Sequence, residues 1–65
     1  MTIKSIFNNV ANQTTVTVRE LIFVDNGKPQ FKDTVLTYGN IDAFDSYNVG
    51  CIVPTGKYEM MIEIA

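Results

Sequence analysis

From Tyr58 onward the chain alternates strictly, with Tyr58, Met60, Ile62 and Ile64 separated by Glu59, Met61, Glu63 and Ala65. A period of two sends successive side chains to opposite faces, so the pattern predicts a half-buried β-strand over 57–64. Two further runs, Thr15 to Val24 and Phe31 to Tyr38, are rich in β-branched and aromatic residues and flank Asp25-Asn26-Gly27. An Asn-Gly pair between two such runs is a hairpin signal. Two registers compete for it. A two-residue loop sets Glu20 opposite Asp33, like charge against like. A three-residue loop with Gly27 left-handed sets Glu20 opposite Lys32, Arg19 opposite Asp33 and Leu21 opposite Phe31, and is the register expected. Pro29 has no ladder donor, which confines it to the start of its strand or to an edge.

The remaining segments are less regular. Pro54-Thr55-Gly56 predicts a turn that joins Cys51 to Val53 to the C-terminal strand. Ile3, Ile6, Phe7, Val10 and Ala11 have helical spacing, but Asn8 and Asn9 are poor helix residues and a pure strand pattern follows. The preferred reading is a strand that folds back on 15–24 through Ala11-Asn12-Gln13. After Tyr38-Gly39-Asn40, the residues Ile41, Asp42 and Phe44 suit one helical turn capped by Asn40, while Tyr47 and Val49 suit entry into an extended strand. The fold expected is all-β, a small antiparallel sheet, barrel or sandwich of about five short strands near 3–9, 15–24, 30–38, 46–53 and 57–64. The alternative is α+β, with an N-terminal helix at 3–11 on a four-stranded antiparallel sheet.

Length sets the energetic scale. Sixty-five residues make a single domain, 1–65, whose total stability is of the order of 3–10 kcal/mol. A self-association that buries more apolar area would add to that, and a homo-oligomer is expected. The lone Cys51 excludes an internal disulfide framework, and within Cys51-Ile52-Val53 it reads as a small buried hydrophobe. No apolar run is longer than Leu21 to Val24, which rules out a membrane-spanning helix, and the N-terminus lacks the apolar core of a secretory signal. A soluble cytoplasmic protein is the resulting expectation.

Charge and chemistry narrow the function more by exclusion than by motif. Residues 1–33 carry Lys4, Arg19, Lys28 and Lys32 against Glu20, Asp25 and Asp33, a net of +1, while residues 34–65 carry Lys57 against Asp42, Asp45, Glu59 and Glu63, a net of −3. There is no histidine, which removes imidazole bases, Ser/His and Cys/His nucleophiles and His-based zinc sites. No glycine-rich phosphate cradle and no calcium-loop spacing is present. No catalytic residue, metal or cofactor is assigned, and an enzyme is the least expected class.

The expected function is a non-catalytic protein-interaction module, an accessory, inhibitor or assembly protein working through a β-edge or an aromatic and acidic surface. Its candidate contacts are Tyr38, Asp42, Phe44, Asp45 and Tyr47, because aromatics rimmed by charge are what interfaces use. Met61 joins them, since a flexible thioether between Glu59 and Glu63 on an otherwise wet face suits a covered surface. Nucleic-acid binding through Arg19, Lys28 and Lys32 with the hairpin aromatics is the alternative from another class, opposed by the overall acidic charge. An acidic mimic of nucleic acid is a third reading.

Overall fold

A computed structural model describes residues 2–10 and 12–64; Ala11 and Ala65, the last members of the two periodic patterns at the termini, lie outside them. A short helix, α1 (Ile3–Asn9), precedes β1 (Thr15–Asp25) and β2 (Lys28–Val35); a 3₁₀ turn, η1 (Ile41–Phe44), then leads to β3 (Val49–Gly56) and β4 (Glu59–Ile64). The strands lie in the order β2-β1-β4-β3, with β1–β2 and β3–β4 antiparallel and β1–β4 parallel. The fold is therefore mostly β with an N-terminal helix and a mixed sheet, and not an all-β antiparallel one. The alternative reading had the helix and the number of strands but not the parallel pair. That pair arises because the chain leaves β2, crosses by way of η1 to the far edge of the sheet, and returns inside as β4.

Residues 3–9 are helical and not a strand because both ends and one face are supplied. Thr2 is extended and its hydroxyl accepts from the Ser5 N–H at 3.2 Å, satisfying an amide that the first turn leaves unpaired. At the other end the Asn9 side-chain amide donates to the Ser5 carbonyl at 2.6 Å. Seven residues are too few to hold a helix in water, so docking decides. Ile3 is fully buried, and Ile6, Phe7 and Val10 pack against the same cluster of Val16, Val18, Leu36, Ile41, Phe44 and Ile62.

The β1–β2 hairpin has the expected register for a different reason. Glu20 faces Lys32, Arg19 faces Asp33 and Leu21 faces Phe31. Yet the loop is only Asn26 and Gly27, both left-handed at φ 51° and 78°, with Asp25 opposite Lys28. A bulge between Leu21 and Phe23 takes up Ile22 and shifts the pairing by one, which moves Glu20 off Asp33. Pro29 sits near the start of β2, an edge strand.

The β3–β4 hairpin also departs from expectation. Pro54, Thr55 and Gly56 belong to β3, and the chain reverses at Lys57-Tyr58 with Gly56 opposite Glu59. Since β3 is an edge strand, proline is tolerated there. Ile62 is buried as the alternation required, with Met60 and Ile64 packed beside it, while Tyr58 lies exposed in the turn. The C-terminal strand is inside the sheet, so the edges belong to β2 and β3. Cys51 is exposed, contrary to its apolar neighbourhood in sequence, because its position in β3 opposite Glu63 puts it on the face that no helix covers.

Candidate functional site

The helix side of the sheet is closed by α1 and η1, which are tied by an ion pair between Lys4 Nζ and Asp42 Oδ1 at 3.0 Å, with Asp45 Oδ1 at 3.7 Å. The Asp42 hydrogen bond and the two neighbouring carboxylates hold the Lys4 ammonium protonated above the ordinary lysine range. Asn40 precedes η1 without capping it through its side chain. Instead it accepts from the Thr37 N–H at 2.8 Å and donates to the Val35 carbonyl at 2.9 Å, pinning the exit from β2.

Most of the residues expected to contact a partner lie in this layer. Phe44 is only 6% exposed and belongs to the core, so its ring is not available at the surface. Tyr47 packs on it with ring centroids 5.6 Å apart. Tyr38 is exposed and meets the edge of Phe7 at 5.1 Å. Asp42 and Asp45 are engaged by Lys4, thirty-eight residues from Asp42 in sequence, a contact that no local pattern announces. Met61 is on the other face of the sheet, beside the buried Ile62 but pointing away from it. The six residues therefore do not form one patch.

The opposite face has no layer over it among the described residues. Cross-strand register sets its side chains in rows. Val35, Thr17, Met61 and Val53 make a largely apolar row from β2 to β3; Asp33, Arg19, Glu63 and Cys51 make the next. Arg19 forks onto Asp33 with Nε–Oδ1 at 2.9 Å and Nη2–Oδ2 at 3.0 Å, and its guanidinium carbon lies 5.2 Å from the centre of the Phe31 ring. That hydrogen bond holds the Asp33 carboxyl below the usual carboxylate range, and Asp33, with Glu63, keeps the Arg19 guanidinium charged.

Beyond Arg19, β4 ends and β1 and β2 continue alone as a two-stranded ribbon. Leu21, Ile22, Phe23, Val24 and Phe31 in this ribbon are 49–61% exposed. At its root Glu20, Leu21, Tyr47 and Ile64 line an open depression of about 350 Å³. The sequence reading uses these residues to set the hairpin and counts its aromatics only toward the nucleic-acid alternative, not as an apolar protein-binding surface; the signal for the latter is the unbroken run Leu21 to Val24, which no alternating pattern can bury on one face. Comparison with protein-family models, curated proteins and solved structures finds no match for this chain.

Of the basic residues of the nucleic-acid reading, Arg19 is ion-paired with Asp33, while Lys28 and Lys32 stand across the strands from Asp25 and Glu20. Arg19 and Lys32 point to opposite faces of the ribbon, so no continuous basic track forms. Among the described residues no group of three or more acidic, cysteine or histidine side chains is placed to hold a metal ion, and no helix is long and apolar enough to cross a membrane.

Proposed function

We propose that the chain is a small non-catalytic module that binds another protein through the open face of its sheet and the ribbon that continues it. The observation that carries this reading is the exposure of five large apolar side chains within the ribbon. Fully burying a residue of this kind stabilises by roughly 1.5–3 kcal/mol, so five that are about half exposed leave roughly 4–8 kcal/mol of burial unclaimed. That range corresponds to dissociation constants of about millimolar to micromolar before the costs of association. The chain's dimensions agree. Its accessible surface is 4504 Å², against roughly 4,200 Å² for a compact monomer of its mass. Its radius of gyration is 12.0 Å, against roughly 10.7 Å for a compact chain of its length.

The test is capture of binding proteins by tagged wild type and by the double variant Phe23→Glu/Phe31→Glu, read by quantitative mass spectrometry. A protein held by wild type and by Tyr38→Ala, but lost with the ribbon variant, is expected. Equal capture by all three would remove the ribbon from the reading. A nucleic-acid surface has less support, since Arg19 is already paired and Lys28 and Lys32 each stand opposite a carboxylate; firm retention on heparin at low salt would favour it.

A further inference from the structure

We propose that the cover of the open sheet face is a second copy of this chain, packed face to face about a two-fold axis that runs along the strands between β1 and β4. This rests on the reading of that face as a binding surface and names its occupant. The axis reverses the order β2-β1-β4-β3, so β1 lies over β4 of the second copy and β2 over its β3. In the charged row Arg19 then faces Glu63 of the second copy, and Glu63 faces its Arg19. In the neighbouring row Thr17 meets Met61, and Val35 meets Val53. An axis laid across the strands through the charged row does the reverse, setting Arg19 over Arg19 and Glu63 over Glu63. Charge complementarity therefore selects one symmetric arrangement of the two sheets.

Glu63 is suited to receive the second guanidinium. It shares a face and a row with Arg19, and Arg19 already spends two of its donors on Asp33. Arg has five donors in all, which leaves some to cross the interface. Parallel strand pairs are usually covered on both faces, and here the parallel pair β1–β4 lies at the centre of the uncovered one.

Area sets the strength expected. The four strands, spaced about 4.8 Å apart, and the six residues of β4, each rising about 3.4 Å, give a flat footprint of roughly 400 Å² per copy. Two copies bury roughly 800 Å² before side-chain relief and the overhanging ribbon are added, below the roughly 1,200 Å² of stable specific interfaces and within the range of weak ones. The dimer should thus be a weak one, best sought at high protein concentration.

Sedimentation equilibrium from about 5 to about 500 µM reads this directly. Wild type should rise from 7.3 kDa toward twice that mass. Glu63→Arg alone sets two guanidinium groups against each other and should weaken association by about tenfold or more, as should Arg19→Glu alone with two carboxylates. Mixed in equal amounts, the two variants should dimerise again, each supplying the sign the other lacks. Met61→Lys should also dissociate the dimer with its circular dichroism unchanged. If Arg19→Glu fails to fold beside Asp33, Glu63→Arg and Met61→Lys decide the matter. A 7.3 kDa wild type at every concentration, or a dimer indifferent to Glu63→Arg, overturns the proposal. A monomer that still captures a protein through the ribbon removes the second copy but leaves the interaction reading standing; a monomer that captures nothing removes both.

Discussion

Val16 and Thr17 are neighbours in β1, as Ile62 and Met61 are in β4, yet Val16 and Ile62 are sealed beneath α1 and η1 while Thr17 and Met61 look out from a face with no second layer among the described residues. The two faces are made by the same strands and differ only in what the chain brings to them. One receives a capped helix and a 3₁₀ turn from distant parts of the sequence; the other receives no cover from the described residues and runs out into a ribbon. A core of seven buried residues among those described leaves little stability in reserve, and it lies on the closed face, which therefore holds the fold.

Substitutions at adjacent positions should break that comparison most sharply. Ile62→Asp puts an unpaired carboxylate at a fully buried site and should unfold the protein, costing more than about 3 kcal/mol, whereas Met61→Asp one residue earlier should cost less than about 1 kcal/mol in the monomer. Urea denaturation of both variants at low protein concentration checks this; equal losses would mean that the open face is not open. A similar contrast lies within the closed layer. Phe44→Ala should cost about 3–5 kcal/mol, as core aromatics do, and Tyr38→Ala, at an exposed turn, should change the denaturation midpoint little. Comparable effects would put Phe44 back at the surface.

The ribbon can be probed apart from the core. Gly27 has φ 78° with nothing within 4 Å of where a Cβ would stand, so the penalty for Gly27→Val is purely one of backbone conformation, about 1–2 kcal/mol. Because the turn lies far from the buried cluster, amide exchange should accelerate first in 20–33 while α1 stays protected. Uniform acceleration throughout the chain would show that the ribbon and the body open as one unit.

How much of this was legible in the sequence follows the range of the forces involved. The alternation of Tyr58 to Ile64 and the Asn26-Gly27 pair are local signals, and both the inner strand and the hairpin register were read from them. The register came out right although the bulge at Ile22 was not foreseen, because the pairing of Glu20 with Lys32 constrained the outcome whichever route achieved it. The helix was missed as first choice because Asn8 and Asn9 lower its propensity, while the Thr2 cap and the cluster that docks it are tertiary or lie outside the periodic stretch. The parallel pairing of β1 with β4 has no local signature at all. For the candidate site, period two puts Met61 on the correct face, but Phe44 belongs to the core that α1 helps to close, while Asp42 and Asp45 stay at the surface and are joined there by Lys4, some forty residues away in sequence.

The smallest effects separate the two faces by pH. Lys4 joins the elements of the closed layer, and its pKa is raised, first by the hydrogen bond to Asp42. A group protonated more tightly when folded contributes stability that is complete below its unfolded pKa, about 10.4, and is lost as pH rises through the higher folded value. Asp33 lies on the open face, and its pKa is lowered, first by the hydrogen bond from Arg19 and against the cost of burial. Its contribution is complete above the unfolded carboxylate value, about 3.9, and is lost as pH falls through the lower folded one. Both pairs are exposed, so each effect is modest and salt-sensitive. Melting temperatures measured across acid and alkaline pH should show part of the acid-side loss abolished by Asp33→Asn, which leaves the alkaline limb unaltered, and part of the alkaline-side loss abolished by Lys4→Gln. If Asp33→Asn flattened the alkaline limb as well, the two faces would be coupled through the sheet, and the open face could not be occupied without changing the stability of the closed one.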